Sequence, residues 1–314
     1  MATWQFQSIL NKESKFSSHK NVIKSNKESP ERFDIVLEGV KHYSRLPITS
    51  FRTMRVMPSN IKNIKRSLTT IDQNPVVSKK TITDEQLQAF ENYAKSLGIS
   101  SIGYIKLPRK LIFKDKAVLH ENVIILSMEM DRDKIEKAPS SETAYMIMQT
   151  YDDLGKTSNR LTTFLRQEGF SVQAGHPLGG LVLYPPLAEL AGIGYHGRHG
   201  LIITPENGPR VRLTAIYTSI ENLPIAQGNP HEWIAHFCQT CGRCIRKCPG
   251  FAIQEEPTLH ENGLLTHITN EYCFPVFLDY HGCSVCIKEC PFSRMEYNKL
   301  KTQFDNRTLN PEMI

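Results

Sequence analysis

The sequence predicts a layer of mixed helices and strands that is followed by a small cysteine-rich module. Two observations predict this division. All eight cysteines lie between Cys238 and Cys290, and the chain before them alternates amphipathic helical patterns with apolar, strand-like runs. With 314 residues, the chain is long enough to bury a sizeable core and to form about two domains. The module is therefore a small part of a larger protein.

Residues 1–80 show little periodicity and many turn-forming residues, which predicts an extended segment that wraps around the core, with one short helix around residues 33–43. Residues 1–66 carry 13 Lys and Arg against 5 Asp and Glu. Such a segment suits nucleic acid or an acidic partner such as a ferredoxin or flavodoxin. Because the basic residues are interspersed with Ser, Asn and apolar residues, we favour a solvated arm over a binding surface.

The start of the sequence has no positively charged stretch followed by an apolar one and no paired arginines, which are the marks of export signals. No run of about 18 apolar residues occurs, as a spanning helix would need. The sequence therefore predicts a cytoplasmic protein with no membrane partner.

Within residues 81–229, hydrophobic periodicity predicts successive helices and strands. Thr83 and Gln86 form a capping-box pattern at the start of a helix that Gly98 is placed to end. A longer apolar periodicity predicts a helix over residues 142–167. We predict strands at 101–107, 123–128, 170–174, 201–204 and 213–219, a loop at 175–186 and a linker at 222–230.

Four glycines, Gly192, Gly194, Gly197 and Gly200, lie within nine residues. The first three match the bare pattern of a dinucleotide-binding loop, but that loop follows a strand and opens a helix. Here a helical LAELA segment precedes the glycines and a strand-like segment follows, so we assign no nucleotide site. Glycines at this density let backbone approach a neighbour closely. A large flat cofactor and tight packing of the chain on itself are equally open explanations.

The cysteines have the spacing with which bacterial ferredoxins hold two [4Fe–4S] clusters. The first run is C-x2-C-x2-C-x3-C-P, and the second is C-x2-C-x3-C-P with one more cysteine upstream. In two-cluster ferredoxins the fourth cysteine of each run ligates the other cluster. Zinc sites use separated CxxC pairs, and disulfides need an oxidising compartment, so both are disfavoured. We predict one cluster on Cys238, Cys241, Cys244 and Cys290, and the other on Cys248, Cys273, Cys283 and Cys286.

The order of these motifs carries a family likeness. A helix ending in LRQEGF, the block AGIGYHGRHGLIITPENGPRVRL and the two-cluster module resemble the cobalamin-dependent reductive dehalogenases and are similar to their relatives, the epoxyqueuosine reductases. The likeness covers residues 83–295, and SPERFD at 29–34 resembles the N-terminal part of the dehalogenases. It implies an α+β core, similar to the nitroreductase fold, that binds cobalamin base-off and carries a two-[4Fe–4S] ferredoxin domain.

The predicted domain division follows from this resemblance and from composition. The chain divides into a basic N-terminal wrapping segment (1–80), a cobalamin-binding core (81–229), a ferredoxin-like two-cluster domain (230–295) and a C-terminal tail (296–314). The tail is polar, and we expect it to pack loosely or fray.

The resemblance also implies roles for particular residues. Tyr151 precedes the LRQEG turn at about the distance of the family's catalytic tyrosine, so it is predicted to donate the proton, with Arg210 stabilising its phenolate. Packing of Tyr151 in the core is the alternative. The backup donors are Tyr145, Tyr184 and Tyr195, and His176, His196 and His199 are expected to be mainly solvated. The residues predicted to bind the cofactor are Gly192, Gly194, Tyr195, Gly197, Arg198 and His199.

The implied activity is reductive cleavage of a carbon–halogen or carbon–oxygen bond in a small molecule, with electrons from an external low-potential donor such as a ferredoxin or flavodoxin. Two alternatives remain. An epoxyqueuosine reductase would modify tRNA, but those enzymes have an Asp-containing VDSxP-like stretch where this chain has LVLYPP at 181–186. An electron-transfer protein would keep the clusters without cobalamin. We favour the dehalogenase-like enzyme and expect no nucleic-acid partner.

Overall fold

The computed structural model of the chain describes residues 2–33 and 51–309. The helices in these ranges are α1 (Ala2–Ser17), α2 (Phe51–Thr69), α3 (Asp84–Ser96), α4 (Arg132–Ile135), α5 (Ser141–Gln167), α6 (Tyr184–Leu190), α7 (Trp233–Cys241), α8 (Arg243–Arg246), α9 (Asn270–Asp279), α10 (Val285–Glu289), α11 (Pro291–Arg294) and α12 (Tyr297–Leu309). The strands are β1 (Ile23–Lys24), β2 (Ile99–Lys106), β3 (Ala117–Val118), β4 (Asn122–Glu129), β5 (Val172–Ala174), β6 (Tyr195–His196), β7 (Ile202–Ile203), β8 (Val211–Thr218), β9 (Ile253–Leu259) and β10 (Leu265–Ile268). Among these helices, none has the length and apolar character needed to cross a membrane.

A four-stranded antiparallel sheet with the order β2-β4-β8-β5 forms the centre of the core. Residues 123–128 of β4 are all buried, which explains why this strand is a continuous apolar run instead of an alternating one. Tyr104 of β2 and Ile216 of β8 lie on either side of Ile124 in register. The four strands of this sheet are confirmed, and the α+β class predicted from the resemblance is confirmed with them.

Helices cover both faces of the sheet. On one face, Phe90 of α3 and Leu161 of α5 belong to an apolar cluster that includes Leu126 of the sheet. On the other face, Leu187 of α6 belongs to a second cluster with Ile125. Alternate residues of β4 point to opposite faces, so Ile125 and Leu126 feed separate clusters. The sheet is therefore the middle layer of a three-layer core.

Two helices begin as predicted, and one loop is shorter than predicted. Thr83 Oγ1 accepts a hydrogen bond from Gln86 N (3.2 Å) and Thr83 N donates to Gln86 Oε1 (3.1 Å), which completes the capping box of α3. Ser140 caps α5 through its side chain. Helix α6 begins inside the predicted loop 175–186, because prolines in the first turn of a helix lose no intrahelical hydrogen bond.

The prediction of an extended N-terminal segment is wrong. Residues 2–17 and 51–69 form the helices α1 and α2, and Ile9, Ile61, Ile64 and Leu68 pack together between them. The helical spacing of these apolar residues was hidden by Pro58 and by the many basic residues, which occupy the outer face of α2. Most of the short helix predicted around residues 33–43 lies outside the described residues.

A buried carboxylate holds α1 on the core. The side chain of Glu13 is 1% exposed, and its carboxylate lies 3.1 Å from Arg32 Nη1 and 2.9 Å from Lys116 Nζ. Burial raises the pKa of Glu13, but Arg32, His176 and Lys116 together bring that pKa below its ordinary value. Part of the basic charge of the N-terminal segment therefore neutralises an internal acid and is not presented to a partner.

The cysteine module follows the core and ends in a helix. Its hairpin β9–β10 was not predicted, and the expectation of a loose tail is wrong. Helix α12 buries Leu300 in an apolar cluster with Trp233 and Phe292, and Phe304 packs against the same cluster. Tyr297 Oη accepts a hydrogen bond from Trp233 Nε1 (2.7 Å). Few apolar residues face inward from α12, so the polar average of the segment concealed its packing.

Gly208 marks one place where the core meets the module. Its φ is 59°, and a Cβ there would lie 2.1 Å from the carbonyl oxygen of Phe292. We expect Gly208→Ala to lower the free energy of unfolding by about 1–2 kcal/mol for the left-handed backbone and by about 1–3 kcal/mol more for the overlap. Gly228→Ala is the matched control, because Gly228 has φ 82° but no atom within 4 Å of a Cβ. Equal losses in urea unfolding would contradict this account.

Candidate cysteine clusters and active site

Four thiols line one cavity at the junction of the module and the core. The cavity is small, with a volume of about 10 Å³, and Arg198, His199, Phe237 and Phe292 complete much of its wall. Its thiols come from α7, from α8 and from the residue that caps α11, although the last belongs to the second sequence motif. The first group consists of Cys238, Cys241, Cys244 and Cys290.

The other four thiols form a second group beside the first. The pKa of Cys273 is raised to about 11 by burial and then by Cys248 and Cys283. The pKa of Cys286 is raised by burial and then by Cys283, Cys273, Cys244 and Cys248, so this thiol lies near both groups. The structure thus brings the cysteines together in the two sets that cross-ligation requires, while their binding of clusters stays a prediction.

The chemistry of these donors fits iron–sulfur clusters. Burial raises the pKa of Cys238 to about 12 and that of Cys244 to about 11, so the free groups are thiols at neutral pH. Iron binds thiolates, and its positive charge offsets the cost of burying them. Within residues 2–33 and 51–309, no three His, Cys, Asp or Glu side chains converge closely enough to hold a single metal ion.

Tyr151 lies on α5 under an arginine, but not the arginine that was predicted. The guanidinium carbon of Arg212 is 4.7 Å from the centre of the Tyr151 ring. Arg212 Nε is buried and has no hydrogen-bond partner among the described residues. Arg210 Nη1 instead donates to Glu129 and, at 3.4 Å, to the carbonyl oxygen of Met130. The predicted pairing of Tyr151 with Arg210 is therefore corrected to a pairing with Arg212.

The sequence contains two candidate partners for Tyr151 but does not distinguish between them. Both Arg210 and Arg212 belong to the PRVRL segment, so either could be the partner of Tyr151 on sequence position alone. Arg212 lies inside β8 opposite Met128, whereas Arg210 precedes the strand and lines a separate cavity of about 310 Å³. The start of the strand decides which side chain reaches α5, and the sequence pattern does not give that boundary.

Tyr151 is closer in the fold to the second cysteine group. Met146, Ile147 and Ile287 form an apolar cluster against which Tyr151 and Cys286 both pack. The first group instead lies against Arg198 and His199 of the glycine-rich block. Tyr151 and the second group thus share an apolar cluster, a contact that sequence spacing did not give.

The glycine-rich block packs on protein. A Cβ on Gly194 would lie 2.3 Å from the carbonyl oxygen of Ile203, and one on Gly197 would lie 2.7 Å from His199 Cε1. Gly200 has φ 72°, and a Cβ there would lie 3.0 Å from His267 Cβ. Tight packing of the chain on itself, which was one of two open explanations, accounts for the absence of a side chain at Gly194 and Gly197. Contacts of Gly192, Gly194 and Gly197 with a corrin stay a prediction.

His199, Arg198 and Tyr195, which are predicted to bind the cofactor, lie in different surroundings. His199 is buried, and burial followed by the nearby His267 and His196 lowers its pKa to about 3. Its ring is therefore neutral and carries no charge for a phosphate. Arg198 lies at the first cysteine cavity, and Tyr195 packs against the apolar cluster of the module. Cofactor contacts by Arg198, His199 and Tyr195 stay predictions.

The backup groups are held by other interactions. His176 is buried beside Glu13, contrary to the expected solvated position, and His196 bonds to Glu189. Tyr184 Oη donates to the carbonyl oxygen of His176 (3.0 Å), and burial raises the pKa of Tyr184 to about 12. Tyr145 Oη accepts a hydrogen bond from Gln149 Nε2 (3.0 Å). Among the candidate tyrosines, Tyr151 is the one that an arginine covers.

The antiparallel core and its cysteine module together have the fold of solved reductive dehalogenases. The chain superposes on the catabolic reductive dehalogenase NpRdhA with a TM-score of 0.72 and 16% identity, covering 94% of this chain and 46% of that one. A related structure with a TM-score of 0.71 is described as suggesting a mechanism for B12-dependent dehalogenation. No protein-family model matches the chain.

Sequence comparison gives the same relationship. The chain is 31% identical over 209 residues to the tetrachloroethene reductive dehalogenase of Sulfurospirillum multivorans, covering 62% of this chain and 40% of that protein. It is 29% identical over 134 residues to the epoxyqueuosine reductase of Vibrio cholerae, covering 40% of this chain and 35% of that protein. The predicted resemblance to both groups is confirmed, and the chain spans less than half the length of these relatives.

Proposed function

We propose that the protein is a cobalamin-dependent iron–sulfur reductase that replaces a halogen on a small organic molecule by hydrogen. The observation that carries this proposal is the Tyr151–Arg212 pair beside two groups of four cysteines, in a chain related to reductive dehalogenases. The reaction consumes two electrons and one proton and releases a halide ion. The carbon–halogen bond breaks and a carbon–hydrogen bond forms.

Cobalamin, bound base-off, would supply the cobalt centre at which the carbon–halogen bond is cleaved. The buried Arg212 Nε, which has no partner among the described residues, fits a site for a polar group of this cofactor or of the substrate. Tyr151 Oη holds the proton, and the Arg212 guanidinium over its ring places a positive charge close to the phenolate left after transfer. Water regains access to Tyr151 afterwards because this side chain is only partly buried, so the phenol can be reprotonated.

The two cysteine groups would hold the [4Fe–4S] clusters that supply the electrons. All-cysteine clusters reach reduction potentials as low as about −700 mV, which suits the reduction of cobalamin. Because Cys286 packs in the same apolar cluster as Tyr151, we assign the second group to the cluster nearer the reaction and the first group to the outer cluster. An external low-potential electron donor would reduce the clusters.

The direct test is halide release. Protein reconstituted anaerobically with iron, sulfide and hydroxocobalamin is supplied with reduced methyl viologen and offered tetrachloroethene, a brominated phenol and an aliphatic chloride in parallel. Ion chromatography is expected to detect halide from at least one compound, and protein reconstituted without cobalamin is the control. No halide from any of them, in protein that contains both cofactors, would contradict a dehalogenase activity.

The similarity to epoxyqueuosine reductases supports a second candidate, reduction of a modified nucleoside in tRNA. This candidate requires tRNA binding that weakens steeply with salt. Binding of an anticodon stem-loop by the reconstituted protein, with reduction of its epoxide, would replace the first proposal. Iron without any cobalamin retention, together with fast electron exchange, would instead indicate an electron-transfer protein.

A further inference from the structure

The charge of the cysteine module is divided between two regions. Residues 239–249, which carry α8, contain three basic side chains and no acidic one, whereas residues 251–290 contain six acidic side chains and one lysine. Glu289 pairs with Arg243 at 2.9 Å, and Arg294 lies 3.6 Å from the same carboxylate. The positive charge that this region presents to solvent is therefore mainly that of Arg246 and Lys247.

The positive region lies at the first cysteine group. Arg246 and Lys247 are exposed, and Arg246 Nη2 donates to the carbonyl oxygen of Cys241 (2.9 Å). Gly242 has φ 53°, and a Cβ there would lie 2.8 Å from Arg246 Nη1, so the glycine lets this side chain fold over the cysteine loop. A basic surface thus covers the backbone that carries Cys241 and Cys244.

We propose that this basic surface, formed by Arg246 and Lys247 of the α8 region, is the docking site of an acidic one-electron carrier protein of the ferredoxin or flavodoxin type. The inference rests on the proposed function in that the first group holds a cluster. Electron transfer requires the carrier to approach a cluster closely, and the first group is the one that we assign to the outer cluster, because the second group packs with Tyr151. The acidic remainder of the module repels the same carrier, so the charge pattern orients it as well as attracting it.

Stopped-flow reduction of the iron-loaded protein tests the proposal. Lys247→Glu and Arg246→Glu/Lys247→Glu proteins are mixed with a reduced acidic ferredoxin, and the second-order rate constant is followed from about 0.05 to about 0.5 M salt. We expect a fall of about tenfold or more at low salt, with much weaker salt dependence in the double variant. The dissociation constant of the oxidised ferredoxin, measured by titration calorimetry, should rise in parallel. Lys247→Glu is included because Arg246 also bonds to Cys241.

The matched control is Lys62→Glu/Arg66→Glu, which reverses two exposed charges of α2 in the basic N-terminal segment. This control should bind and accept electrons from ferredoxin as the unmodified protein does. If it is slowed while the α8 variants are not, the docking surface lies in the N-terminal segment and the proposal is overturned. Reduction by methyl viologen radical distinguishes a failed docking site from a failed function. If viologen finds no reducible clusters, the proposed function is refuted. If viologen reduces the variants normally and their rate with ferredoxin is also unchanged, the docking site is refuted.

Discussion

Replacing Tyr151 with phenylalanine is expected to lower kcat by about 10²–10⁴-fold, which is the range that a positioned proton donor contributes. The ring and its contact with Arg212 remain, so iron content, cobalamin content and unfolding temperature should stay unchanged. The measurement is steady-state turnover with reduced methyl viologen on the best substrate. Tyr145→Phe is the control, because Tyr145 lies on the same helix and its hydroxyl bonds to Gln149.

The arginine assignment is tested in the same assay. Arg212→Gln should lower turnover substantially, since the phenolate of Tyr151 would lose the cation over its ring, whereas Arg210→Gln should act mainly on stability through its bond to Glu129. Rapid turnover by the Tyr151→Phe protein would remove this residue from the mechanism and leave core packing as its role. If Arg210→Gln lowers turnover more than Arg212→Gln does, Arg210 is the partner of Tyr151, as the sequence predicted.

Loss of a single cysteine is expected to remove one of the two clusters. Double variants then show which cysteines bind the same cluster. Cys248→Ser and Cys290→Ser should each leave about four of about eight iron atoms. Because Cys248 belongs with Cys273, the double variant Cys248→Ser/Cys273→Ser should also keep about four. Cys248→Ser/Cys244→Ser should lose nearly all iron. Iron analysis and paramagnetic resonance of the reduced proteins measure this.

Independent cluster binding by each sequence motif would give a different result. If each sequence motif held its own cluster, Cys248 and Cys244 would serve the same one, and their double variant would keep about half of the iron. Cys248→Ser/Cys273→Ser would then be the iron-free protein. Either result separates cross-ligation from independent motifs without depending on enzyme activity.

The sequence predicts best those structural features that are determined by residues close together in the chain. Strand β4 and the capping box at Thr83 are set by neighbouring residues, so they were predicted to within two residues of their observed ends. The cysteine sets follow from spacing and from the way two-cluster ferredoxins fold. These features require no knowledge of what packs against them.

The remaining features depend on contacts between distant segments. Helix α2 is mainly polar, and its apolar residues Ile61, Ile64 and Leu68 gain meaning only against α1. Arg212 and Arg210 differ by where β8 begins, and the close packing of Gly194 depends on the backbone of Ile203. In each case the deciding partner is far away in the chain or is a strand boundary, which periodicity locates poorly.

We propose above all that one chain holds two clusters and cobalamin together. The decisive measurement is the iron and corrinoid content of protein purified anaerobically and supplied with hydroxocobalamin, with its absorption and paramagnetic resonance spectra after partial reduction. The account predicts about eight iron atoms per chain and the spectrum of base-off cob(II)alamin. Full iron with no corrinoid retained, or zinc in place of iron, would contradict it.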